Sequence, residues 1–152
     1  MGSMSKLFNR IYDMELYEIQ RSFPYLGEGI SRAVFAVNND YVVKVAKDLD
    51  GDYQCKVEYY VYTHTNKILK DYLCPIVWYK RGMIAMPRAI PLSYYIREPY
   101  IDISKVRSDR NSYEDLIRLS NKFNLLFEDI VSTSSWGILN NRMVLIDYGC
   151  TN

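Results

Sequence analysis

Between Phe23 and Lys47 the chain carries three short β-type runs separated by turn residues, and this stretch limits the fold more than any other. FPYLGEG, SRAVFAV and YVVKVA read as strands, and Asn38-Asn39-Asp40 supplies a hairpin turn between the last two. Two further strand-like runs, PIVWYK and MIAMPRA, meet at Arg81-Gly82. The chain closes with WGILNNRMVLIDYG, two short strands hinged at Asn140-Asn141. Helical spacing appears in three places. A lead helix over 5–20 uses Leu7, Phe8, Ile11, Met14 or Leu16, and Ile19. A second helix covers 52–70. A third runs through SYEDLIRLSNKFNLLFEDIV on Leu116, Leu119, Phe123, Leu126, Phe127 and Ile130, with Ser112 as its cap. Residues 97–112 are charged and aperiodic, and are predicted to form a surface connection. This order predicts an α+β fold on a mostly antiparallel sheet, without the regular βαβ alternation of a doubly wound fold.

A chain of 152 residues can build one domain with its own core. Met1-Gly2-Ser3, ahead of a second methionine at Met4, reads as an expression scar, and residues 4–152 as a single domain. Net charge is +1, so composition points to neither nucleic acid nor a membrane surface. No apolar run approaches the roughly 18–20 residues that cross a bilayer, and charges interrupt the N-terminal apolar stretches as they would not in a secretory signal. Cys55, Cys74 and Cys150 are three in number and lack a C-x-x-C pair, and with His64 alone they make no zinc set. They read as reduced thiols, which predicts a cytoplasmic setting. His64 is predicted on an exposed helix face and Trp136 as a core anchor.

Four places in the chain carry chemistry. Gly27 and Gly29 stand one residue apart between β runs, where the backbone can approach a ligand and turn amides toward an anion. A strand rather than a helix follows them, which argues against a dinucleotide loop. Lys44 lies among β-branched residues in Tyr41-Val42-Val43-Lys44-Val45-Ala46, either as a snorkelling edge lysine or as a phosphate contact. Glu58, the one glutamate of the next helix, can keep such a lysine charged and aimed. Asp147, after the apolar run Val144-Leu145-Ile146, leaves a carboxylate at a strand end, where magnesium finds an oxygen ligand.

In this order and spacing the pieces resemble the protein-kinase signature set, closest to small kinase-like proteins of phages and bacteria. The resemblance spans about residues 22–149. Gly27-x-Gly29-x-x-Arg32-x-Val34 is similar to the glycine loop, with arginine in place of its third glycine and Ser31 within the loop. Val42-Val43-Lys44 is similar to the phosphate-contacting strand, Glu58 to its partner, and Asp147-Tyr148-Gly149 to the metal-binding Asp-Phe-Gly. Met83-Ile84-Ala85-Met86-Pro87-Arg88-Ala89 resembles the strand entering the hinge. That implies Met86 as gatekeeper and the backbone of Pro87, Arg88 and Ala89 against an adenine. ATP and Mg2+ are the implied cofactors, with a first lobe over 22–88 and a much reduced second lobe over 89–152.

The resemblance fails at the catalytic loop. A kinase offers an aspartate base and, five residues on, an asparagine for metal. In the small relatives that asparagine precedes Trp-Gly; here the place belongs to Ser135, and Ile130 stands five residues before it. Asp129, one residue out of register, is the candidate base, and Ser135 the substitute ligand. The chain ends three residues after Gly149, so no activation segment or peptide-docking helices follow in it. Three functions stay open: a minimal kinase using Asp129 as base, a nucleotide-binding pseudokinase that docks on a protein partner or on itself, and an interaction module in which Lys44–Glu58 is only a structural pair. Arg107 and Arg110 could grip an acidic partner or phosphopeptide, but read first as a solvated loop.

Overall fold

Strand alternation decides which side chains share a face of the sheet. The computed structural model describes residues 2–152. Strands β1 (Tyr25–Glu28), β2 (Arg32–Ala36), β3 (Tyr41–Ala46), β4 (Trp78–Lys80) and β5 (Met83–Pro87) form an antiparallel sheet in the order β1-β2-β3-β5-β4. Ala33 and Phe35 of β2, Val43 of β3, and Met83 and Ala85 of β5 bury one face against Phe8, Ile11 and Ile19. The opposite face then receives Arg32, Val34, Lys44, Ile84 and Met86. The register sets Val34 against Lys44 and Lys44 against Ile84.

The predicted lead helix is two helices, α1 (Gly2–Tyr12) and α2 (Leu16–Ser22). The break comes where the Glu15 amide donates to the Glu18 carboxylate at 3.0 Å, which starts a new helix. Gly2 and Ser3 of the presumed scar belong to α1, and Met1 lies outside the described residues. Helix α3 (Leu49–His64) starts earlier than predicted, because the Asp48 carboxylate caps the Gly51 amide at 2.9 Å. It also ends earlier: Asn66 caps a separate short helix, α4 (Lys67–Lys70), by accepting from the Leu69 amide at 2.9 Å.

The chain divides into two compact units, Met1–Tyr59 with Pro75–Arg88, and Tyr60–Cys74 with Ala89–Asn152. The second unit holds helices α5 (Ser112–Phe123) and α6 (Phe127–Ile130). It also holds a sheet in the order β6 (Ile90–Pro91), β7 (Trp136–Leu139) and β8 (Arg142–Leu145). The predicted single long helix is divided by Asn124, whose left-handed backbone (φ 55°) ends α5. Asn111, not Ser112, caps α5, by accepting from the Glu114 amide at 3.2 Å. Asn140 and Asn141 turn the β7–β8 hairpin with φ of 53° and 65°, values asparagine tolerates better than most residues. Trp136 is fully buried and donates its indole N–H to the Ile130 carbonyl at 2.8 Å, a core anchor as expected. His64 is exposed, also as expected.

Residues 97–112 run mostly exposed, as expected of a surface connection, but a few side chains pin the segment to the unit. Ile103, Val106 and Arg107 are buried. The Arg107 guanidinium donates to the carbonyls of Val106, Met143 and Asp71 and to the Asp71 carboxylate, so a buried charge is satisfied along every edge. Among the described residues, no helix is long and apolar enough to cross a membrane.

Helix α3 approaches β2 and β3 through Gly51. A Cβ there would stand 2.1 Å from the Ser31 carbonyl oxygen and 3.0 Å from the Ala46 Cα, both backbone atoms. Gly51→Ala must therefore push the helix or the loop. Chemical denaturation should show a loss of about 1–3 kcal/mol; a gain in stability, as expected for alanine in an unobstructed helix, would contradict this packing.

Candidate functional site

The buried stripe of α3 in the first unit is Gly51, Cys55 and Glu58, at helical spacing and without a large aliphatic residue. Glu58 is 0% exposed and faces the charged side chains of β2 and β3. Its Oε1 and Oε2 accept from Arg32 Nη1 and Nη2 at 2.7 and 3.0 Å, a bidentate pair. Lys44 Nζ lies 3.4 and 3.2 Å from the same two oxygens. The expected Lys44–Glu58 pair is therefore present, and a second cation shares its carboxylate. The guanidinium is the closer partner, and planar bidentate geometry makes it the stronger. Arg32 Nη1 also lies 3.8 Å from Cys55 Sγ. Burial pushes the Cys55 thiol up, with Arg32 opposing the shift, which keeps the sulfur neutral and unreactive.

The hairpin loop above this face is narrow. The Gly29 amide donates to the Arg32 carbonyl at 3.0 Å, and the Lys47 amide to the Ser31 carbonyl at 2.8 Å. Lys47 Nζ donates to the Gly29 carbonyl at 3.0 Å and pairs with the Glu28 carboxylate. Hydrogen bonds from Lys47 and then Tyr25 hold Glu28 below the usual carboxylate range. The Gly29 amide is thus engaged within the loop rather than turned outward as expected. Space is nonetheless open at both glycines, since a Cβ on Gly27 or Gly29 would meet nothing within 4 Å. Ser31 is buried beneath the turn and Ile30 projects at its tip, 94% exposed.

Met86 is buried on the Lys44 face of the sheet, opposite Val42. Arg88 is occupied at the strand end: its amide donates to the Asp40 carbonyl at 2.8 Å and its guanidinium to the Asn38 carbonyl at 3.2 Å. Ala89 is the first residue of the second unit's longer segment, just ahead of β6.

That second unit carries Asp129, Ser135 and Asp147, the last two at the open end of the β7–β8 hairpin. Trp136 pairs with Leu145, and the Ile146 amide donates to the Ser135 carbonyl at 2.8 Å, so Ser135 and Asp147 flank adjacent strand ends. Asp129 sits within α6, in a helical turn as its sequence position suggested. Burial raises its carboxyl, the Asp147 and Glu128 carboxylates add to that, and a hydrogen bond from the Cys150 thiol opposes it. Among the described residues no group of three or more His, Cys, Asp or Glu side chains forms a ready-made metal cage.

Two arginines stand out that their sequence positions did not reveal. Arg32 looked like a missing third glycine, and Arg107 like a loop charge. The alternation that directs Lys44 toward α3 directs Arg32 there as well, so a charge at an inward strand position was the available signal. No protein-family model matches the chain, and no curated protein matches its sequence.

Glu58 is the anion shared by two buried cations. Removing one partner of a buried charged network costs roughly 3–5 kcal/mol, and Glu58→Ala should lower unfolding free energy by about that much, with Glu58→Gln less damaging. A denaturation midpoint unchanged by Glu58→Ala would show that the carboxylate holds nothing together.

Proposed function

We propose that the chain is an ATP-binding, protein-kinase-like domain with impaired phosphotransfer, acting by engaging a protein partner. The observation that carries this reading is the Lys44–Glu58 pair buried on the sheet face beneath a glycine hairpin whose glycines border open space. A purely structural ion pair gives no reason for glycine at position 29, where a side chain would touch nothing. A backbone that must let a ligand approach does give one.

In this reading Gly27, Gly29 and Ser31 cover the phosphates, and Lys44 donates to them while Glu58 keeps its ammonium charged and aimed. Met86 and the backbone of Pro87, Arg88 and Ala89 take the adenine. Asp147 supplies the main oxygen ligand to magnesium, which would neutralise phosphate charge, and Ser135 a weaker one. Three features support impairment. Arg32 holds Glu58 by the shorter bonds, the Gly29 amide is already used, and Asp129 lies in a helical turn rather than an extended loop. One feature favours a retained minimal kinase instead: the raised Asp129 carboxyl beside Asp147 is a better proton acceptor than an ordinary aspartate.

Melting in ATP, with and without magnesium, separates these readings. Ligand at about ten times its dissociation constant adds about 1.4 kcal/mol to the folded state, a rise of about 3–6 °C for a chain of this size. Magnesium-dependent stabilisation is expected in the wild type and should vanish in Lys44→Ala and Asp147→Ala. Gly29→Ala should melt near wild type without ligand but lose most of the ATP response. Transfer of radiolabelled phosphate abolished by Asp129→Ala would favour the minimal kinase. No rise at millimolar ATP would refute nucleotide binding and leave an interaction module.

A further inference from the structure

We propose that Asp71, Arg110 and Arg142 in the second unit form a binding site for a phosphate dianion, either inorganic phosphate or a phosphorylated side chain. Three guanidinium groups converge on the one Asp71 carboxylate. Arg142 Nη1 and Nη2 donate to Oδ1 and Oδ2, both at 2.9 Å. Arg107 Nε donates to Oδ2 at 3.2 Å, and Arg110 Nη2 lies 3.5 Å from the same oxygen. Three positive charges against one negative leave an excess of two. Asp109 offsets it weakly, 3.9 Å from Arg110 Nε with a side chain 70% exposed and solvated. Asp115 is engaged elsewhere, accepting from the Tyr72 hydroxyl at 2.6 Å and lying 3.8 Å from Arg118.

Like charges gathered this closely disperse unless the fold holds them, and here it holds two. Arg107 is buried and tied to three backbone carbonyls. The Arg107 and Arg110 guanidiniums lie 5.0 and 5.5 Å from the centroid of the Tyr72 ring. That ring is itself fixed by its hydroxyl bond to Asp115. The cost of ordering long side chains is thus met before any ligand arrives.

Arg107 uses four of its five N–H donors in these contacts and serves as the base of the site. Arg142 and Arg110 form its rim, with side chains 48% and 28% exposed beside an Asp71 that is 30% exposed. Arg142 uses only one hydrogen on each terminal nitrogen for Asp71, which leaves its Nε–H and two further N–H groups. Arg110 has only long contacts, its nearest being 3.3 Å to the Ile68 carbonyl. A doubly charged, three-oxygen acceptor matches both the excess charge and these forked donors, whereas a single carboxylate matches only half the charge.

The test is titration at constant ionic strength, followed by the Arg 15Nε–Hε signals in NMR. The probes are inorganic phosphate, a Gly-Ala-phosphoserine-Ala-Gly peptide and its unphosphorylated counterpart. Saturable shifts of Arg142 and Arg110 are expected with either phosphate probe and none with the plain peptide. Arg142→Gln with Arg110→Gln should weaken binding about tenfold or more, the worth of a charge-assisted contact. Lys6→Gln, at an exposed position of α1 in the first unit, should not change it. Should the double variant fold poorly, Arg142→Lys keeps the charge, loses the fork and should still bind several-fold more weakly. Tighter binding of the phosphopeptide identifies a modified protein as the source, and equal or tighter binding of inorganic phosphate identifies the free ion. Shifts that never saturate, or binding unchanged in a folded arginine variant, overturn the proposal.

Discussion

The Glu58 carboxylate is the constraint on which the first unit depends. It is wholly buried, and a buried carboxylate survives only with donors on its oxygens. Arg32 of β2 and Lys44 of β3 provide them from adjacent strands whose other face is committed to the apolar core under α1 and α2. The network therefore fixes the register of two strands against one helix. It also dictates small residues on the helix, since Gly51 must lie against the Ser31 carbonyl for Glu58 to reach the sheet. Such networks add less to stability than to the choice of one arrangement over its neighbours.

That arrangement places a cation on the sheet face beside a loop with room at its glycines. Lys44 is the only one of the two cations in the position that the kinase resemblance assigns to a phosphate contact. Arg32 takes the stronger share of Glu58, so nucleotide binding in the proposed reading rests on a lysine held at its outer edge. In the second unit the Asp129 carboxyl, raised by burial and by Asp147, and the arginine cluster around Asp71 pose opposite electrostatic problems. One concentrates negative charge and the other positive charge.

The strands and both asparagine turns were legible in the sequence because each depends on local chemistry: β-branched runs, an Asn38 side chain that accepts from the Asp40 and Tyr41 amides, and asparagines at 140 and 141 that tolerate positive φ. The Lys44–Glu58 pair was legible because a lysine between valines must point away from the face those valines fill. Helix ends were not, since Asn66 and Asn124 break their helices through single hydrogen bonds and one left-handed residue that hydrophobic spacing does not register. Arg32 and Arg107 were missed for a related reason. An arginine's burial depends on acceptors far away in the chain, at Glu58 for one and at Asp71 and Met143 for the other. The α+β architecture on an antiparallel sheet follows from the order of elements; the function does not follow from it.

The central claim is that the Gly27–Gly29 hairpin and Lys44 receive a nucleotide's phosphates. Backbone 15N–1H spectra recorded through a titration with ATP and magnesium test it residue by residue. The account predicts saturable shifts at the Gly27, Gly29, Ser31 and Lys44 amides that adenosine, lacking phosphates, does not reproduce. Saturation with these amides unmoved, or no saturation at all, would contradict it.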